Sequence, residues 1–167
     1  MDKKLLQEAI DSLNVKDVYI FRANSFLMPG VDPKYDNSFK NLLVSFKHVV
    51  VSSEIVEIST GDTKKVNLFR IYIDLGVRWK KLDEETEETI EKNTAVLIET
   101  TFIAEYEMVH EVTEEALKEF ALHNASYHVW PYWREYLANQ CDRMNLPKIT
   151  IPIMQLASNR DVISSSK

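Results

Sequence analysis

The sequence predicts an α+β fold, with four strands in an antiparallel sheet and helical segments to cover it. Three observations carry that expectation. Two-residue alternation runs from Phe69 to Trp79, and the pattern repeats from Val96 to Met108. Strands follow one another with no helical segment between them long enough for a parallel crossover, which favours an antiparallel meander. A sheet of that kind leaves one apolar face, and helix-like segments downstream of the fourth strand are there to cover it.

The elements follow in chain order. Leu5, Leu6, Ile10 and Leu13 fall at helical spacing among Asp2, Glu8 and Asp11, so residues 1–14 read as an amphipathic helix ended by Asn14. A first strand covers Val18 to Phe21, and Met28-Pro29-Gly30-Val31-Asp32-Pro33 is a turn-rich crossover. The second strand is Leu42 to Val51, with Leu42, Val44 and Phe46 on one face. In the third, Phe69, Ile71, Ile73, Leu75, Val77 and Trp79 alternate with Arg70, Tyr72, Asp74, Gly76 and Arg78. The charge-dense stretch Lys80 to Lys92 reads as a solvated hairpin loop. In the fourth strand Val96, Ile98, Phe102, Ala104, Tyr106 and Met108 face one way, and Leu97, Glu99, Thr101, Glu105 and Glu107 the other. Thr113 before Glu114 and Glu115 is an N-cap with acids in the first turn. A second helical run carries Trp133, Leu137 and Met144 and ends before Pro147. The expected organisation is a single domain over residues 1–167, with a short, poorly ordered tail at 153–167.

Composition narrows the function classes. A chain of 167 residues buries roughly two-thirds of its unfolded surface on folding, enough for its own core. Three glycines leave no glycine-rich phosphate cradle. The formal charge of −6 argues against a nucleic-acid binder and against anionic membranes. Cys141 is the sole cysteine, so neither an intrachain disulfide nor a thiolate metal cluster is available. The charged start, Met1 to Glu8, is no secretory signal, and no apolar run matches a bilayer. A cytoplasmic protein is expected.

Catalytic chemistry finds no foothold. His48, His110, His123 and His128 form no H-E-x-x-H pattern, and His123 and His128 are five positions apart. Cys141 has no histidine near it in sequence and reads as a small core residue. Glu84, Glu85, Glu87, Glu88 and Glu91 read as a solvated charge run without the apolar setting that raises a catalytic pKa. No enzyme, no cofactor and no bound metal are expected. The aromatic stripe Tyr127, Trp130, Tyr132, Trp133 and Tyr136 has two readings: core packing, strongest for Trp133 and Tyr136, or the floor of an apolar groove of the sort that takes unfolded chains.

The run Trp130-Pro131-Tyr132-Trp133-Arg134-Glu135 resembles the first long helix of the bacterial export chaperone family SecB, which carries an aromatic-Pro-Tyr-x-Arg-Glu signature. Arg143, Leu146-Pro147 and Ile151-Pro152 resemble that family's exit from the helix through a proline-containing extended segment. Val15-Lys16-Asp17-Val18 resembles the opening of its first strand, and Thr94-Ala95-Val96-Leu97-Ile98-Glu99 the start of its fourth. The match runs from about Val15 to Pro152.

The resemblance implies a four-stranded antiparallel sheet with helices on one side, assembled as a dimer of dimers, holding unfolded clients in apolar grooves without ATP. It implies client contacts at Phe26, Leu27 and Met28, at Leu42, Val44 and Phe46, and at Trp130 and Tyr132. For Leu42, Val44 and Phe46, simple burial is the competing reading. It implies a surface for the translocation motor SecA at Asp17, Leu97 and Glu99. There, Phe21 stands where the family carries an acid, and a phenylalanine cannot supply that charge. Only Ile153 to Lys167 follows the extended segment, too little for the family's further C-terminal helix and acidic tail. These departures point to a dedicated client, such as the antitoxin of a toxin–antitoxin–chaperone system, in place of general export. The rival reading is a SecB-fold interaction module with one folded partner and no general holdase activity.

Overall fold

The computed structural model describes residues 1–60, 64–81, 93–152 and 154. Most of the expected loop at Lys80 to Lys92, and the expected tail apart from Met154, lie outside the described residues. The elements are α1 (Lys3–Ser12), β1 (Leu13–Leu27), β2 (Leu43–Thr60), β3 (Lys64–Lys80), β4 (Thr94–Met108), α2 (Glu114–His123) and α3 (Ala125–Arg143), with a 3-10 turn at Asn37–Asn41. The strands form one sheet in the order β1-β4-β3-β2, and every neighbouring pair is antiparallel. β2, β3 and β4 make the meander. The segment after Leu27 carries the chain across from one sheet edge to the other.

Three strands are longer than alternation alone suggests: β3 starts at Lys64, ahead of its apolar row, and β1 and β2 are extended through bulges. β1 begins at Leu13 and not Val18, and its register shifts between Val15 and Asp17 and between Ile20 and Arg22. β2 begins at Leu43 and runs to Thr60, past the expected end at Val51, with its shift between Val50 and Ser52. Each bulge inserts one residue, so the residues beyond it change parity while the strand goes on. A period-two reading stops where the strand does not. Leu42 accordingly lies just outside β2, in the turn where its N–H donates to the Phe39 carbonyl at 3.2 Å.

The core lies between one sheet face and the last two helices. Across the central pair, Phe69 faces Tyr106, Ile71 faces Ala104, Ile73 faces Phe102, Val77 faces Ile98 and Trp79 faces Val96. All ten are buried, and α3 lays Val129, Trp133, Leu137 and Cys141 over them. Successive members of that stripe are four residues apart, as one helix face requires. Met144, expected as the third member, is the half-buried C-cap, and Cys141 holds its place. α3 stops there because Asn145 takes a left-handed φ of 53°, which asparagine tolerates, and Leu146 N–H turns back to the Cys141 carbonyl at 2.9 Å.

The N-terminal helix is about one turn shorter than residues 1–14, spanning Lys3–Ser12. Asp2 caps it by accepting the Lys4 and Leu5 N–H groups, and Leu13 leaves it directly into β1. α1 packs mainly on α2. Glu8 Oε1 accepts both the N–H and the hydroxyl of Thr113 at 2.9 Å, while the Thr113 hydroxyl oxygen accepts from Ala116 N–H at 3.4 Å. That is a capping box in which the acid comes from another helix.

Removing the ring at the centre of the seam tests this packing. Trp133→Ala is expected to cost about 3–5 kcal/mol in urea unfolding, whereas Glu8→Ala should cost about 1 kcal/mol, the usual scale of a lost cap.

Candidate functional site

α3 does not cover the whole apolar face. It crosses the sheet obliquely: Ser126 Oγ meets His48 Nε2 of β2 at 2.7 Å, and further along Tyr136 Oη meets Ser25 Oγ of β1 at 3.3 Å. Two regions stay open on either side. On β2, Val44 and Phe46 pair with the buried Trp79 and Val77, so they lie on the helix-bearing face, yet they are 40% and 58% exposed. Beside β1, a concavity of about 340 Å³ is walled by Val15 and Val18 of the strand, Tyr127, Trp130, Pro131 and Tyr132 of the helix, and Met154. Arg134 stands at its margin. A second concavity of about 370 Å³ separates α3 from the extended segment Lys148 to Ile151, where Cys141, Ile149 and Ile151 supply the apolar wall.

Trp130 joins these regions. Its indole N–H donates to the Pro152 carbonyl at 2.8 Å, and its ring lies 5.8 Å from the His48 ring. It therefore pins the extended segment and flanks β2 while bordering the first concavity. Pro131, next to it, removes a helical N–H donor and leaves the Tyr127 carbonyl without its usual partner. Tyr132 points outward and is 49% exposed. Trp133 and Tyr136 go to the core side, Trp133 fully buried and Tyr136 in edge contact with Phe102. The aromatic stripe thus serves both roles, divided residue by residue.

The expected client contacts are not gathered into one patch. Trp130 and Tyr132 share the β1 concavity, and Val44 and Phe46 share the β2 surface. Leu42 is half-buried against the core. Leu27 is on the helix side of β1, and Met28 is tied by its N–H to the Ala95 carbonyl at 2.9 Å. Phe26 faces Leu97 on the opposite side of the sheet. Val15, Val18, Tyr127 and Met154 complete the β1 concavity. The signal for Val15 was hidden by the bulge after it, and that for Met154 by the absence of any pattern around it.

The other sheet face is polar, and three cross-strand ion pairs lie on it. Arg78 grips Glu99 Oε1 through Nε at 3.2 Å and a terminal nitrogen at 2.7 Å, Arg70 binds Glu105 at 2.7 Å, and Lys47 binds Asp74 at 2.9 Å. Burial pushes the Asp74 carboxyl up, but hydrogen bonds from Thr101 and Lys47 outweigh it and leave the net shift downward. Gly76 makes room for Glu99, since a Cβ there would fall 2.8 Å from Glu99 Cγ. Asp17 and Glu99 do lie on this face, and Leu97 lies there too but is buried. Phe21 protrudes at the second β1 bulge, 63% exposed, edge-on to Tyr72 at 5.5 Å. Among the described residues no group of three or more His, Cys, Asp or Glu is placed to hold a metal ion, and no helix is long and apolar enough to cross a membrane.

No protein-family model matches the sequence, and no curated protein matches it. The solved structures include a match: the Mycobacterium tuberculosis SecB-like chaperone Rv1957, in complex with a ChAD peptide from the antitoxin Rv1956 HigA1. The two share 17% identity, with a TM-score of 0.64 over 92% of this chain and 98% of that one. This chain has a SecB-like fold. At that identity the likeness lies in the layout of sheet and helices. The SecB-like arrangement of an antiparallel sheet under a long oblique helix is therefore reached here with a largely different sequence.

Two outcomes follow from the site. Burial lowers the pKa of His128, whose Nδ1 is 2.9 Å from the Tyr106 hydroxyl, and of His48, whose ring is held against Trp130 and Ser126. Burial also raises the Tyr106 phenol, so it stays protonated. The unfolded chain then binds more protons than the folded one as pH falls through about 6.5, and stability falls with it. Melting curves at pH 7 and pH 5 should show the lower temperature at pH 5, with a smaller difference in His128→Gln. Gly76→Ala should displace Glu99 and cost about 1–3 kcal/mol, read as a shift in the denaturation midpoint.

Proposed function

We propose that this chain is an ATP-independent holdase that binds unfolded polypeptide on the apolar surface left open beside α3. One observation carries the reading. Apolar side chains of the helix-bearing sheet face, Val15 on β1 and Val44 and Phe46 on β2, remain accessible on either side of a helix that already buries a complete core. A self-contained domain has no use for such a surface. Burying it against an extended peptide gains roughly 25 cal/mol per Å² of apolar area, part of which ordering the peptide takes back. Useful affinity then comes from several weak sites acting together, which an assembly such as a dimer of dimers multiplies. No step in this cycle needs a catalytic residue or a cofactor.

A dedicated client, such as an antitoxin, is the form of this function we favour, because the similar Mycobacterium chaperone was solved with an antitoxin peptide. The chain would act in the cytoplasm. A role in SecA-dependent export is less well supported: Glu99 is already neutralised by Arg78, and Phe21 protrudes where the family's acid would stand. The Phe21–Tyr72 contact amid matched charges instead favours a second reading, an interaction module with one folded partner.

Light scattering of an unrelated aggregating protein separates the two. The holdase reading expects suppression near stoichiometric ratio, lost by at least half in Phe46→Ser or Tyr132→Ser, with melting temperatures close to that of the parent chain since both residues are exposed. Absence of suppression together with tight binding to a single folded partner would replace it with the module reading.

A further inference from the structure

We infer that Arg134 sets client specificity at the proposed groove, selecting segments that carry a carboxylate two residues from an apolar anchor. The inference rests on the holdase reading above and adds the chemistry of what is held.

Arg134 lines both concavities that flank α3, the one beside Val15, Trp130 and Tyr132 and the one beside Cys141, Ile149 and Ile151, whose wall also carries Glu135, Asp142 and Lys148. A peptide running through both passes it. In the first it is the single permanently charged side chain among the described residues of the wall. The imidazole of His128, on the same wall, is engaged by Tyr106. Arg134 makes no ion pair with any described residue. The contrast with the opposite sheet face is direct, because there Arg70, Arg78 and Lys47 are each matched to a carboxylate.

A guanidinium unmatched among the described residues, at the margin of an apolar concavity, has a definite preference. A purely hydrocarbon peptide would strip water from it and return no acceptor, which costs free energy. A carboxylate would replace that water with charge-assisted, paired N–H bonds, a geometry suited to arginine. Helix geometry gives the spacing. Trp130 and Arg134 are one turn apart, about 6 Å along α3, and two residues of extended peptide cover about 6.6 Å. An apolar side chain seated by Trp130 therefore brings the residue two positions away to Arg134.

The test uses the full chain and labelled, unstructured peptides with one tryptophan anchor and Asp, Asn or Lys two residues from it, on either side in separate versions. Fluorescence anisotropy should rank Asp about tenfold tighter than Asn, with Lys weakest. The Asp advantage should shrink as salt is raised. Arg134→Gln should bring the three affinities together, and Arg134→Lys should keep part of the preference. Equal affinities for the three peptides on the parent chain would overturn the inference and leave the holdase reading standing. A preference for Asp that persists in Arg134→Gln would also overturn it. Failure of every peptide to bind the parent chain would overturn the holdase reading and this inference together. Should Arg134→Gln not fold, the parent chain's ranking and its salt dependence still decide.

Discussion

The rest of the molecule depends on the seam where α3 lies on the central strands. Val129, Trp133, Leu137 and Cys141 meet the row formed by Phe69 to Trp79 and Val96 to Tyr106, and every one of those apolar side chains is sealed from water. Because this narrow stripe supplies the core, the margins of the same sheet face need not be covered for the chain to fold. α2 and α1 add a corner, held by the shared cap at Thr113. The flanks beside β1 and β2 are left over, and those leftovers are the surface proposed here to bind clients.

The two faces of the sheet solve the problem of exposure differently. The helix-bearing face leaves hydrocarbon accessible at its edges, where a partner's hydrocarbon can replace water. On the other face Arg70, Arg78 and Lys47 already hold the carboxylates of Glu105, Glu99 and Asp74, so little is gained by bringing another charge to those pairs. Phe21, pushed out by a bulge, and Val49, opposite Asp74, are exposed apolar side chains on that face. This division explains why the strongest case for binding falls on one side of the sheet, although candidate contact residues occur on both.

Much of this was legible in the sequence. The alternation in β3 and β4 marked both strands and their faces, although β3 starts at Lys64, before that alternation begins. Thr113 announced the start of α2, and the run from Trp130 to Glu135 announced α3 and the fold to which it belongs. What sequence reasoning missed has a common physical origin. One-residue bulges in β1 and β2 shift parity, so strand length, the helix-side direction of Val15 and the outward protrusion of Phe21 were hidden. Met144 lost its core position to Cys141 because the helix ends at Asn145. Which aromatics floor a groove and which fill a core depends on the oblique crossing of α3, a tertiary fact that spacing along one helix cannot contain. The placement of Phe26 on the far face is of the same kind.

The strand order has a consequence for biosynthesis. β1 is the first strand made, yet its only partner is β4, and Lys16 meets Glu107 across 91 positions of sequence. During translation β1 must wait, its backbone hydrogen-bonding groups unsatisfied by protein, until nearly all of the sheet has left the ribosome, a delay of several seconds at ordinary rates of synthesis. Closing so long a loop is slow, so the nascent form of this protein passes through an interval in which it is itself an unfolded chain in need of shelter.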